Sequence, residues 1–238
     1  MSRPESTYPF AENRLLSRLP RADYERLRPL LEPVRLPRGR VIYEAGATVR
    51  HAYFLTGGIA SLLAATADDD TVQVAMVGSE GALGPPALLG IGVMPYQVMM
   101  QLPGSALRIS TAALGAEFGR GGPLHDSLLH YLHTLIAQIT QSALCNRYHT
   151  IEERLCRWLL ISRDRARSDV LALTQESLAH MLGSQRTGVT AAAAALRRRA
   201  LISYRHGRIR LLDGRGLEAR ACECYGVITQ ELEHYLAA

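Results

Sequence analysis

LTQESLAHMLGSQRTGVTAAAAALRRRALISYRHGRIRLL, Leu173 to Leu212, reads as a helix, a glycine turn, a second helix and a β-hairpin. The Thr174 hydroxyl is placed to cap the first helix, and Glu176 in its first turn suits the positive end of the helix dipole. Leu178, Ala179, Met181 and Leu182 then face inward. Gly183 stands where the chain must turn, because a residue without Cβ reaches positive φ at no steric cost, and Ser184 is positioned to cap the next helix. At about 100° per residue, Val189, Ala192, Ala193, Leu196 and Ala200 share one stripe of that second helix, with Thr187, Ala191, Ala194 and Arg198 opposite.

This punctuation is that of a helix-turn-helix, and the outer stripe is small, polar or basic, so the helix can press close to a surface. Its first turn offers Gln185, Arg186 and Thr187 where a recognition helix meets base edges, with Thr190 one turn on. Arg186 is the candidate for bidentate reading of a guanine. Arg197, Arg198 and Arg199 at the far end suit phosphate, as do Thr174, Gln175 and Ser184 around the turn. Ile202 and Tyr204, then Ile209 and Leu211, alternate with polar residues about a turn at His206 and Gly207. That makes a wing ringed by Arg205, Arg208 and Arg210. The bland alternative is an ordinary helical pair with solvated arginines.

All 27 basic residues are arginine against 22 acids, and their placement tells more than their number. Residues 147–210 hold 13 Arg and 5 acids, a segment of +8, whereas residues 1–146 hold 12 of each. Basicity gathered on the segment with the reading motif favours a polyanionic partner. Met1 to Phe10 is polar, and no apolar run approaches a membrane span, so the expected compartment is the cytoplasm. Cys145, Cys156, Cys222 and Cys224 show no paired CxxC spacing, so no disulfide framework and no metal site is expected.

Upstream, Asn13 to Leu19 and Ala22 to Leu31 are short amphipathic helix candidates broken by Pro20 and Pro29. From Val34 to Leu114 alternating runs, among them Arg40 to Tyr43, His51 to Leu55, Ile59 to Ala64 and Thr71 to Val77, are separated by glycine turns or by the acidic tip Asp68-Asp69-Asp70. They suggest an antiparallel barrel or jelly roll. Gly78, Glu80, Gly81 and Gly84 lie in a loop that either cradles an anion or joins two strands. Pro123 to Asn146 reads as a long helix. Leu128, Leu132, Leu135, Ile139 and Ser142 form an a/d stripe over about two heptads, which serves either as a dimer seam or as a face packed on its own domain. His125, His130 and His133 on this helix read as surface histidines. Thr150 to Arg163 makes another amphipathic helix, with Trp158 expected to anchor the core of the C-terminal domain. Arg215 to Leu236 reads as a last helix, on which Cys222 and Cys224 would point about 200° apart.

A β-roll, a long helix and a winged helix-turn-helix containing GSQRTGVT together resemble the Crp/Fnr family of bacterial transcription regulators. The resemblance implies an α+β chain in four parts. These are a cyclic-nucleotide-binding-like effector roll over residues 1–117, a dimerisation helix over 118–146, a Crp-type winged helix-turn-helix over 147–216 and a helical tail over 217–238. It implies a homodimer on a two-fold symmetric promoter site, RNA polymerase as a further partner, and no enzymatic activity. The family's base-reading arginine matches Arg186, but Thr187 and Ala191 replace the usual neighbours. An effector pocket, if built as in the family, would draw on Gly78, Glu80, Gly81, Gly84, Tyr96 and Gln97. Pro85 follows Gly84, and Pro95-Tyr96-Gln97 stands where the phosphate-binding arginine belongs, so cyclic AMP is not expected. No cysteine precedes Cys145, which departs from the iron–sulfur branch; no cofactor is expected. The competing reading is a small-molecule or redox sensor that acts through protein contacts.

Overall fold

The computed structural model describes residues 13–237 apart from Asp69 and His206. The reading of Met1 to Phe10, the middle of the acidic tip and one residue of the wing turn therefore lie outside the described residues, as does the side chain of Gln175. After a 3-10 turn at Leu16–Arg18, a short helix α1 (Arg21–Leu27) and a second turn at Arg28–Leu30, the chain becomes a roll of eight short strands. They are β1 (Glu32–Leu36), β2 (Val41–Tyr43), β3 (His51–Leu55), β4 (Ile59–Ala65), β5 (Thr71–Val77), β6 (Ala82–Leu83), β7 (Gln97–Leu102) and β8 (Gly104–Ser110). Two four-stranded sheets, ordered β1-β8-β3-β6 and β2-β7-β4-β5, face each other. All their pairings are antiparallel, the arrangement of a jelly roll. Strands β3 and β5 coincide with the runs predicted for them.

Helix α2 (Thr111–Phe118) follows, its N-terminus capped by the Ser110 hydroxyl, which accepts from Ala113 N–H at 3.1 Å. Then comes the long helix α3 (Pro123–Tyr148), opened by a proline at a position whose N–H needs no partner. Its Leu124, Leu128, Tyr131 and Leu135 join Phe54, Leu62, Val77, Met94 and Val98 in the roll's core. Only His149 and Thr150 separate α3 from α4 (Ile151–Ala166). Thr150 and Glu153 form a capping box: Glu153 N–H donates to Thr150 Oγ1 at 3.3 Å and Thr150 N–H to Glu153 Oε2 at 2.8 Å.

A second core gathers Leu155, Trp158 and Leu159 of α4 with Leu178, Val189, Leu196 and Ile209 beyond it. Ile59, Leu63, Met76 and Leu102 from the roll belong to the same core. Trp158 is thus more than an anchor for the C-terminal domain: its Nε1 donates to Gln73 Oε1 on β5 at 2.5 Å. Gln73 passes the chain on to the Ser61 hydroxyl at 3.0 Å, and Ser61 to Gln101 Oε1 at 2.6 Å. The amphipathic pattern placed the ring inward without showing that roll and head share that interior.

After β9 (Val170–Ala172) come α5 (Gln175–Leu182), α6 (Arg186–Arg198), β10 (Ile202–Arg205) and β11 (Arg208–Leu211), with the strands ordered β10-β11-β9. The tail is two helices, α7 (Gly214–Glu218) and α8 (Cys224–Ala237), not one. Asp213 caps α7 by accepting from Gly216 N–H at 2.9 Å, and the helix ends once Leu217 is buried. Cys222 therefore lies in a break before α8, and the helical angle that separated it from Cys224 does not apply. Among the described residues, no helix is long and apolar enough to cross a membrane.

Candidate nucleic-acid interface

Thr174 caps α5 as expected, its hydroxyl accepting from Ser177 N–H at 3.1 Å. Gly183 ends that helix in the left-handed region, at φ 51°. The next cap differs from expectation. Gln185 holds the N-cap position of α6 without a side-chain bond, and the Ser184 hydroxyl instead donates back to Leu182 O at 3.2 Å. Ser184 stands one residue before the N-cap position of α6. Val189, Ala192, Ala193 and Leu196 are buried as the stripe requires. Ala200 is not part of it; it lies past the helix end at φ 56° and is exposed.

On the other side, Gln185, Arg186, Thr187, Thr190, Ala191, Arg197 and Arg198 are all exposed. The first turn of α6 has no acidic residue, so the helix's positive end and Arg186 act in the same direction toward an anion. In the wing Arg205 stands directly across from Arg208, and Ser203 from Arg210. Like charges paired across strands destabilise a sheet, and a polyanion laid over them relieves that repulsion. Tyr204 braces the wing by donating to Leu173 O at 3.3 Å.

The head is not free of the roll. A cleft of about 680 Å³ separates the start of α6 from the β4–β5 hairpin, with Asp70, Thr71 and Val72 on one wall and Gly183, Gln185 and Arg186 on the other. Contact is closest at Gly183, where a Cβ would stand 2.8 Å from Val72 Cγ2.

Of the residues expected to form an effector pocket, Gly84 and Tyr96 line one small cavity, while Glu80 and Gln97 are engaged elsewhere. Glu80 turns away from the roll's interior: its carboxylate accepts from Gly78 N–H at 2.8 Å and lies 3.1 Å from Arg165 Nε on α4. Gly81 leaves room for the Tyr131 ring, which a Cβ would approach to 2.4 Å, and Tyr131 donates to Ala82 O at 2.9 Å. Gly84 combines φ 98° with contact to the Tyr43 hydroxyl. Gln97 is half-buried, donating to Glu44 Oε2 at 2.8 Å. Tyr96 lies inside the roll, where burial pushes its hydroxyl up to about 12. The space beside it is about 10 Å³, closed by Leu62, Val77, Leu83, Met94 and Val98, at the lower limit of about 10–15 Å³ that one water needs. The glycine loop joins β5 to β6, with its Glu80 held against Arg165.

The stripe read as a dimer seam is also accounted for within the chain. Leu128, Leu132, Leu135 and Ser142 are buried, and Ile139 packs against the roll core, so the second of the two readings holds. The exposed stripe of α3 lies one residue further round, at Leu129, His133, Ile136, Thr140 and Ala143, with Leu144 beside it. Of the other histidines, His130 is exposed and His125 stacks on Phe118 with ring centroids 4.5 Å apart. Residues that sequence reasoning missed are Cys145, His149, Cys222 and Cys224, whose ligand atoms all lie within 4.8 Å of one another. The available signal was the four-residue spacing of Cys145 and His149, one helical turn, which sets both on the same face.

A model of the Crp-like helix-turn-helix domain matches residues 153–220, and a model of the cyclic nucleotide-binding domain matches residues 33–119. No curated protein matches the sequence. Among solved structures, FixK2 of Bradyrhizobium japonicum is similar with a TM-score of 0.70 at 15% identity, over 81% of this chain and 98% of its own. TTHB099, a CRP-family transcriptional regulator of Thermus thermophilus, gives 0.67 at 22% identity, over 79% of this chain and 96% of its own. The c-di-GMP-responsive global regulator CLP of Xanthomonas campestris gives 0.66 at 18% identity, over 81% and 99%. These likenesses establish a shared fold. With one family model on the roll and the other on the head whose reading face is laid out above, the chain belongs to the Crp/Fnr family of transcription regulators.

Proposed function

We propose that this regulator works in the cytoplasm as a homodimer, reading a two-fold symmetric promoter site with the first turns of α6 and recruiting or blocking RNA polymerase there. The observation that carries the reading is the exposed run Gln185, Arg186, Thr187, Thr190 on a helix whose other face is buried, flanked by a wing of opposed arginines. Arg186 contacts a guanine; Thr174, Ser184, Arg197, Arg198, Arg205 and Arg208 position the head on the backbone. A second copy covers Leu129, Ile136 and Leu144, exposed by 39%, 62% and 42% on one side of α3. Two-fold symmetric DNA requires two heads, and a helix stripe at spacings of four and three suits an antiparallel or parallel seam between copies.

A cyclic nucleotide, which the roll's family implies, does not fit this chain. The cavity beside Tyr96 is about 10 Å³, none of the residues lining it is a cation for a phosphate, and the acidic residue of the loop is paired to Arg165. The roll therefore acts as a scaffold that sets the spacing of the heads.

The test is an electrophoretic shift on the chain's own promoter region and on duplexes selected from a random pool. Arg186→Ala should lose about 1–3 kcal/mol per half-site and relax the choice of base at one position. Equal binding and an unchanged selected motif would refute the assignment.

A further inference from the structure

Away from the reading face, where α3 ends and α8 begins, four soft donors stand together. Cys145 lies in the last turn of α3 and His149 caps its end, while Cys222 and Cys224 come from the break before α8 and its first residue. Cys145 Sγ is 3.5 Å from Cys222 Sγ, and Cys224 Sγ is 3.5 Å from His149 Nδ1. A tetrahedral zinc ion, with bonds of about 2.3 Å to sulfur and about 2.0–2.1 Å to nitrogen, sets its donors about 3.8 Å and about 3.6 Å apart. Two of the donor pairs already stand near that spacing, and all four donors lie within 4.8 Å of one another. An iron–sulfur cluster divides its four protein ligands among two or four irons and so spreads the set further than a single ion does.

We propose that Cys145, His149, Cys222 and Cys224 form a closed Cys3His site for one zinc ion. The surroundings are those of a metal centre in three respects. The three cysteines are buried as a group apart from both apolar cores. Glu223 Oε1 lies 3.2 Å from His149 Nε2, which holds the proton on that nitrogen and leaves Nδ1 as ligand, while Gln141 Nε2 donates to Cys224 Sγ at 3.1 Å. Charge is the third. Arg154 and Arg157 are buried, each with an Nε that finds no acceptor. The acceptors they do have, Leu182 O with Ser184 Oγ for Arg154 and Ser142 Oγ for Arg157, are neutral. Three thiolates, one neutral imidazole and a divalent ion sum to −1, which offsets one of the two buried guanidinium charges. Zinc is the ion that a tetrahedral sulfur-rich set selects. Binding fastens the start of α8 to the end of α3 beside the turn into α4, and Arg154 links that point to the Leu182–Ser184 turn before α6.

The full chain, bearing no polyhistidine tag, is loaded with zinc chloride under a non-thiol reductant, desalted, and assayed for metal by mass spectrometry. One zinc per chain is expected, and cobalt substitution should give the intense visible bands of a tetrahedral thiolate site. Cys222→Ser with Cys224→Ser should abolish both signals, and His130→Ala, exposed on α3 outside the stripe of Leu129 and Ile136, should leave them unchanged. Glu223→Gln keeps all four ligands and alters a side chain that is 68% exposed, so it folds even where the cysteine variants do not; zinc affinity, measured against a chromophoric chelator, should fall about 10- to 100-fold. Substoichiometric zinc, zinc retained by the double cysteine variant, weak octahedral cobalt bands, or an affinity unmoved by Glu223→Gln would each overturn the site. So would a Cys145–Cys222 disulfide forming in the zinc-loaded protein, which would make the pair a redox couple instead.

Discussion

Glu80 and Arg165 fasten the roll to α4, and Glu80→Gln removes the charge of that pair while keeping its shape. The two groups are 3.1 Å apart with side chains 6% and 5% exposed. Glutamine keeps an oxygen for Gly78 N–H, which now donates to Glu80 at 2.8 Å. Arg165 keeps Met76 O and Gln138 Oε1 as acceptors. What disappears is the countercharge to a buried guanidinium. Breaking such a pair from one side costs about 3–5 kcal/mol, and the two acceptors left to Arg165 place the loss near the lower end, about 3 kcal/mol. In a chain of this length each kcal/mol moves Tm by about 2–4 °C, so a fall of about 6–12 °C is expected. Urea and thermal unfolding followed by circular dichroism and by the fluorescence of Trp158, the chain's one tryptophan, measure it. Adding Arg165→Met should recover much of the loss, because no orphaned charge remains. A loss below about 1 kcal/mol, or strictly additive effects in the double variant, would refute the reasoning. Unchanged stability with a changed response to small anions would return Glu80 to an effector pocket.

Two further outcomes follow from the exposed faces. Arg205→Ala and Arg208→Ala should weaken binding to all duplexes alike and each reduce the salt slope of log K by about 1 per chain; a slope that does not move would remove the wing from the interface. Ile136→Asp should shift the chain from dimer to monomer in sedimentation. The exposed part of that isoleucine is worth about 1–2 kcal/mol per chain, hence about 30- to 1000-fold in dimer affinity. The same change at the buried Leu128 should instead unfold the roll, and a dimer that survives Ile136→Asp would place the seam elsewhere.

The head was legible because its signals are local. Thr174, Gly183 and the alternation of Ile202 with Tyr204 act within a few residues, and the structure keeps each. The strands at His51–Leu55 and Thr71–Val77 were legible for the same reason. On α3 and in the glycine loop distant partners decided; at Cys222 and at Ser184 the cause is local. Helix α3 carries two stripes at the same period, and the one richer in leucine is the one that the roll claims. Glu80 sits in a glycine loop that looks like an anion cradle until Arg165 arrives from α4. Cys222 and Cys224 were separated by a helical angle that exists only if the helix starts before them, and α7 stops short because Asp213 starts it early. Ser184 was one residue out because Gln185 already takes the extended conformation of the cap, at φ −61° and ψ 138°.

Besides the apolar contacts of Ile59, Leu63 and Leu102 and the hydrogen bond from Arg38 to the Ser177 hydroxyl, three contacts between roll and head fall on one strand. Trp158 reaches Gln73, Arg165 reaches Met76 O, and Gly183 sits against Val72, all three on β5; Glu80 lies just beyond its end. In the sheet order β2-β7-β4-β5 that strand is at the edge, hydrogen-bonded along one side only. An edge strand moves at less cost than a central one, since half of its ladder groups have no strand to leave. A displacement of β5 is therefore transmitted to α4, to the Gly183 turn and, through that turn, to Arg186, while the leucine core between the sheets stays in place. A larger residue at Gly183 would push the head off the hairpin: Cβ has only 2.8 Å to Val72 Cγ2, well inside van der Waals contact, and the backbone there is left-handed besides.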